Sequence, residues 1–217
     1  MTEGGKGKDT DSRKASKPPT DRPQKKPGKG KSNDAPIKKG SSSPPPVTSG
    51  GIPKMDLSDQ HEKACKVKVG DLLPAMQLAD LAGKRVEDIQ PLRGKKATVV
   101  VFWSGGPIEL EYLQDIFDVV AESFSTAGVR IVAVNVGGAA DVVSKSTEDL
   151  AAPDFTAFAM LLDSSGESLG KLVSGEAPSM PRTYVLDGEG KIRWFAIVVS
   201  REDRLLLAQT LRFLTRP

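Results

Sequence analysis

Residues 97–103, Ala-Thr-Val-Val-Val-Phe-Trp, constrain the fold more than any other stretch. The run is apolar at nearly every position and rich in β-branched residues. It predicts a central strand covered on both faces, as in a parallel α/β sheet, because a half-wet strand would alternate. Ser104-Gly105-Gly106 follow, and Pro107 suits the first turn of a helix, where its missing N–H costs nothing. Leu110, Leu113, Phe117, Val120, Ala121 and Phe124 then recur at helical spacing, and Gly128 ends the run. A second buried strand, Val129 to Val136, completes a βαβ unit whose crossover is expected to be right-handed.

The flanking segments extend this unit. Gly70-Asp71 and Pro74 punctuate the chain ahead of a short hairpin from Leu78 to Val86 around Ala82-Gly83. Beyond the unit, residues 139–150 form a weaker helix candidate, and Phe158 to Asp163 reads as a short strand or a helix-to-strand connection. Two strands flank the turn Gly188-Glu189-Gly190 as an antiparallel hairpin. A last helix runs from about Arg201 to Leu214, with Leu205, Ala208 and Leu211 on its apolar side. Residues 67–217 are thus one α/β domain, of a size that sustains a single core.

The first 60 residues differ in kind. Up to Gly50, 12 Lys and Arg stand against 5 Asp and Glu, and there is no Phe, Trp, Tyr or Leu. The net charge of the whole chain is +3, so a basic arm of +7 precedes an acidic body of −4. Such a segment buries too little apolar surface to offset its ordering entropy, so residues 1–60 are expected to be a disordered arm, extended at Pro18-Pro19 and Pro44-Pro45-Pro46. The arm is either an electrostatic tether to an anionic surface or a solubilising tail; with no aromatics, it lacks groups to stack on bases. Residues 61–66 read as a linker to the domain. They hold His61 and Cys65, the only histidine and the only cysteine, which a helix would place on one face, where the imidazole can activate the thiol. One cysteine excludes an intramolecular disulfide, and one Cys with one His excludes a multi-Cys/His zinc site; no metal or other cofactor is expected. No apolar run approaches the roughly 20 residues of a membrane span, and no secretory signal is evident, so a cytoplasmic location is expected.

Four pieces carry a family resemblance, in order: Val-Gly-Asp from Val69, with Pro74 and the Gly83-Lys84 hairpin; Val-Val-Val-Phe-Trp ending at Trp103; Phe158 to Glu167; and Met180-Pro181-Arg182-Thr183-Tyr184 running into Gly190-Lys191-Ile192. Together the domain resembles a redoxin. It is similar to the thiol-disulfide reductases and the alkyl hydroperoxide reductase/peroxiredoxin (AhpC/TSA) relatives of the thioredoxin-like fold. The resemblance implies a Cys-x-x-Cys at a helix N-terminus after Phe-Trp, where the helix end stabilises a thiolate and the second cysteine resolves the mixed disulfide. Here Gly105-Gly106-Pro107-Ile108 stands in that place. The only cysteine lies elsewhere, so the loop has no thiol chemistry. The resemblance also makes Pro181 the family's cis-proline, with the residue before it offering backbone hydrogen bonds to an extended peptide, a mode that needs no sulfur.

Two functions from different classes follow. The first is a redox-inactive module that binds an extended polypeptide, with Trp103 and Met180 lining a groove and Gly105, Gly106, Pro107 and Pro181 completing it. The second is a thiol reductase or one-cysteine peroxidase that uses Cys65, assisted by His61. A further alternative makes the arm the active part and the domain passive. Glu111, Asp115, Asp118 and Glu122 fall on one face of the helix after Pro107, an acidic stripe that a basic partner, the arm included, could meet.

Overall fold

The doubly covered strand and its amphipathic helix sit at the centre of a seven-stranded mixed sheet in a computed structural model, which describes residues 51–54, 57–87, 89–124, 126–148, 150, 158–175, 178–197 and 200–217. In chain order the elements are α1 (Asp59–Ala64), β1 (Leu78–Asp80), β2 (Arg85–Val86), β3 (Ala97–Trp103), α2 (Pro107–Phe124), β4 (Val129–Val136), α3 (Ala140–Thr147), β5 (Phe158–Asp163), α4 (Glu167–Gly170), β6 (Arg182–Asp187), β7 (Ile192–Ile197) and α5 (Arg201–Leu214). The strand order is β2-β1-β5-β4-β3-β6-β7. Strands β3, β4 and β5 are mutually parallel, with Val101 opposite Ala133 and Ala133 opposite Met160. The hairpin β6–β7 is antiparallel and joins through β6 to β3. The basic arm up to residue 50 lies outside the described residues, all of which belong to one unit.

Side chains of β3 alternate between two apolar layers, which is why the run has no polar phase. Val99, Val101 and Trp103 face α2 and α5, while Val100 and Phe102 face the layer that includes Val67, Leu73, Leu169 and Val173. Helix α2 buries Tyr112, Leu113, Ile116, Phe117, Val120 and Phe124, the stripe expected from its spacing. Helix α5 starts at a reciprocal cap: Ser200 N–H donates to Asp203 Oδ2 at 2.8 Å and Asp203 N–H donates to Ser200 Oγ at 3.1 Å. Its rotation differs from the sequence expectation. Leu207 and Leu211 are buried one turn apart, and Leu205 is exposed.

The stretch expected as a linker is part of the fold. Ser58 caps α1, with His61 N–H donating to its Oγ. Cys65 pairs with Val173 across an isolated bridge, flanked by Lys66 N–H to Leu172 C=O at 2.9 Å and Ser174 N–H to Ala64 C=O at 2.8 Å. These bonds fix residues 64–66 against a segment more than a hundred residues away, a pairing that local composition does not encode. Among the described residues no helix is long and apolar enough to cross a membrane.

Candidate functional site

The loop after β3 is where the sequence places its main question. Gly105 has φ +103°, a backbone region L side chains rarely adopt, so any Cβ-bearing residue there is strained. Gly106 C=O accepts from Leu110 N–H at 3.0 Å and so opens α2, with Pro107 in its first turn. Glu109 then folds back over the loop. Its carboxylate accepts from Ser104 N–H, from Gly105 N–H at 3.0 Å and from Ser104 Oγ at 2.9 Å. The donors and helix end that would stabilise a bound anion or thiolate already face an anion of the chain itself. Glu109 was not among the site residues expected from sequence, because a cap reaching back to Ser104 spans five residues, not the three of the usual signature. Removing it by Glu109→Ala is expected to cost about 1–2 kcal/mol, the range of a lost helix cap, with Glu109→Gln less affected; urea unfolding of the three proteins measures this.

Across the sheet end lies the Met180–Pro181 peptide bond, which is cis. Between this segment, Ser104 and the α4 region is a cavity of about 340 Å³, lined among others by Val136, Leu169, Val173, Pro178 and Met180, with hydroxyls at Ser104 and Ser165. Met180 is therefore where a groove residue was expected. Trp103 is not: it is fully buried on the α2 side of the sheet, so it is corrected from groove wall to core. Period-two alternation sends its side chain inward, a choice that a run apolar on both faces conceals. Gly105, Gly106, Pro107 and Pro181 do not line the cavity; Ser104 represents the loop there.

Below this surface is a polar group that the core does not explain. Arg182 is 1% exposed, yet no carboxylate among the described residues pairs with it. Its Nε donates to Ser179 C=O at 3.0 Å, and one terminal nitrogen has no hydrogen-bond partner. The Tyr184 hydroxyl, buried and also without a well-formed hydrogen bond, is pushed up to about 12, chiefly by burial; the nearby Arg182 charge opposes the rise, and Cys65 adds to it. Cys65 is half-buried and packs against the same apolar layer. His61 offers its backbone carbonyl to Cys65 N–H at 3.2 Å. Among the described residues no cluster of three or more His, Cys, Asp or Glu could hold a metal.

The acidic stripe on α2 is not continuous. Asp115 forms an ion pair with Arg204 of α5 and is largely shielded, whereas Glu111, Asp118 and Glu122 remain exposed. Burial raises the Asp115 carboxyl above its ordinary range, Arg204 opposes that, and Glu111 and Asp118 add to the rise. One of the four charges is thus committed to helix packing rather than to a basic partner.

The sequence pattern described as the AhpC/TSA family matches residues 69–195. Curated proteins give no match. Among solved structures, similarity extends to a provisionally named protein disulfide isomerase from Bacteroides thetaiotaomicron, with TM-score 0.59 and 18% identity over 70% of this chain and 92% of that one. The peroxidoxin BcpB from Mycobacterium tuberculosis gives TM-score 0.56 and 19% identity over 67% and 96%. The thioredoxin domain of a thiol-disulfide oxidoreductase from Bacteroides vulgatus gives 0.51 and 20% over 69% and 99%. At these identities the likeness is one of fold: a thioredoxin-like α/β architecture.

Proposed function

The chain belongs to the AhpC/TSA family, and from that premise we propose that it is a redox-inactive redoxin that binds an extended polypeptide beside Met180. The observation that carries this reading is the pairing of two features at one sheet end. A cavity of about 340 Å³ with apolar walls and hydroxyl edges lies open there, and the neighbouring loop holds a carboxylate where thiol chemistry would need a sulfur. Apolar walls with a few polar groups suit a side chain of a bound segment whose backbone is held by edge hydrogen bonds. A cytoplasmic location is part of the same proposal.

Met180→Glu tests it. A charge on the wall is expected to weaken binding of alternating apolar-polar decapeptides at least tenfold, about 1.4 kcal/mol, in a variant whose unfolding transition shows that it remains folded at the assay temperature. Methyl chemical shifts of Met180, Leu169 and Val173 report the binding. Shifts that stay still with every peptide tried, or move equally in the variant, contradict the proposal.

A second reading has its own observation: the Tyr184 hydroxyl, buried beside Arg182, whose guanidinium keeps one terminal nitrogen unpaired, is coupled electrostatically to Cys65. A half-buried thiol fixed by a backbone bridge to Val173 is a placement that a one-cysteine peroxidase or thiol reductase could use. The measurement is consumption of hydroperoxide, or reduction of a disulfide, with an external thiol as electron donor. Turnover abolished by Cys65→Ser and lowered at least tenfold by Arg182→Met would establish this reading and end the redox-inactive one. Turnover no higher than that of Cys65→Ser would remove it.

A further inference from the structure

The outer edge of the β6–β7 hairpin carries a second concavity built from other residues. A cavity of about 550 Å³ opens between residues 52–54, Leu57, Val69 and the edge strand β7. Its apolar lining is Ile52, Leu57 and Val69, with the buried Trp194 and Phe195 reaching it only along the strand edge. Val69 is 60% exposed, so part of this surface stands in water. The volume falls in the range of small-ligand sites.

Among the described residues, the charged members of the lining share one sign: Lys54 and Arg193 contribute to it, and no carboxylate does. Lys54 is exposed and makes no ion pair among the described residues. Arg193 reaches Asp187 only at 3.7 Å, a separation that leaves its charge incompletely neutralised. The start of the edge is already paired: Gly70 N–H donates to Ile192 C=O at 2.7 Å and Ile192 N–H donates to Asp71 C=O at 2.8 Å. Strand addition by a peptide therefore lacks the first part of its template, while a compact ligand needs none.

We infer that this cavity binds a small amphipathic anion, an aliphatic tail bearing one carboxylate. The tail lies against Ile52, Leu57 and Val69 along the β7 edge, and the carboxylate meets Lys54 and Arg193. Apolar contact supplies affinity, and the two cations select an anion over a neutral ligand of equal length.

Sub-micellar decanoate is the probe and decanol its neutral control, titrated against the full chain by calorimetry. Emission of Trp194 is followed in parallel in Trp103→Phe, which leaves one tryptophan, buried in the strand that borders the cavity. Saturable decanoate binding at least tenfold tighter than decanol is expected, weakened at least tenfold in Lys54→Glu/Arg193→Glu while decanol binding stays unchanged. Should the double variant fail to fold, the exposed Lys54→Glu alone is expected to weaken decanoate binding several-fold. No saturable binding, equal affinity for decanoate and decanol, or undiminished decanoate binding by a folded charge-reversed variant would each overturn the inference.

Discussion

Between pH 10 and 12 the folded protein is expected to lose about 5 kcal/mol of stability through its two tyrosines alone. Both phenols are pushed up to about 12, in each case chiefly by burial. For Tyr112 the hydrogen bond with Thr183 Oγ1 at 2.9 Å offsets part of the rise, and Asp203 adds to it. Below pH 10 both phenols are protonated folded or unfolded, and the native state carries no penalty. As pH rises past 10 the unfolded chain releases protons that the native chain retains, so stability falls, and the loss is complete once the native phenols ionise near 12. Each contributes about 2.7 kcal/mol, two pKa units at 1.36 kcal/mol each. Urea unfolding at stepped pH measures the loss, and tyrosinate absorbance checks its origin. With no exposed tyrosine among the two, the native protein should stay silent through pH 10. A native tyrosinate signal with a midpoint near 10 would mean that the phenols are not buried. Tyr112→Phe and Tyr184→Phe should each remove about half of the pH dependence.

Trp103→Ala is expected to lower the unfolding free energy by about 3–5 kcal/mol, the range for deleting a large buried aromatic. Trp103 is fully buried among α2, α5 and the inner face of the sheet. Ile108→Ala, a few residues on and 71% exposed, should change stability by no more than about 0.5 kcal/mol. Denaturant midpoints with unchanged slopes give both values. A small Trp103→Ala effect would return this residue to the groove wall that the sequence first offered.

That contrast marks the boundary of what the chain reveals about itself. Strand β3, helix α2 and the β6–β7 hairpin were legible because each rests on local signals: an unbroken apolar run, a helical stripe, and a glycine-bounded turn. Helix α1 was not, since it buries no residue and owes its place to a pairing between Cys65 and Val173. Leu205 looked like core because its helix offers apolar residues on more than one face, and packing chose Leu207 and Leu211. The continuity of the acidic stripe failed at Asp115, whose partner Arg204 comes from the last helix. At the candidate site, Met180 was readable from its place before Pro181. Glu109 and Arg182 were not, because their roles depend on what a fold places beside them.

The carboxylate of Glu109, folded over the loop amides, also has a consequence for how the surface behaves over time. In a thiol-based loop the local charge follows the redox state of the surroundings, since thiolate and disulfide exchange one for the other. Here the negative group is covalently fixed and not oxidisable under those conditions. A segment docking at this end of the sheet, as proposed, would meet the same electrical landscape in a reducing or an oxidising compartment. Its occupancy there would then be set by its own affinity and concentration, with the loop a constant rather than a sensor.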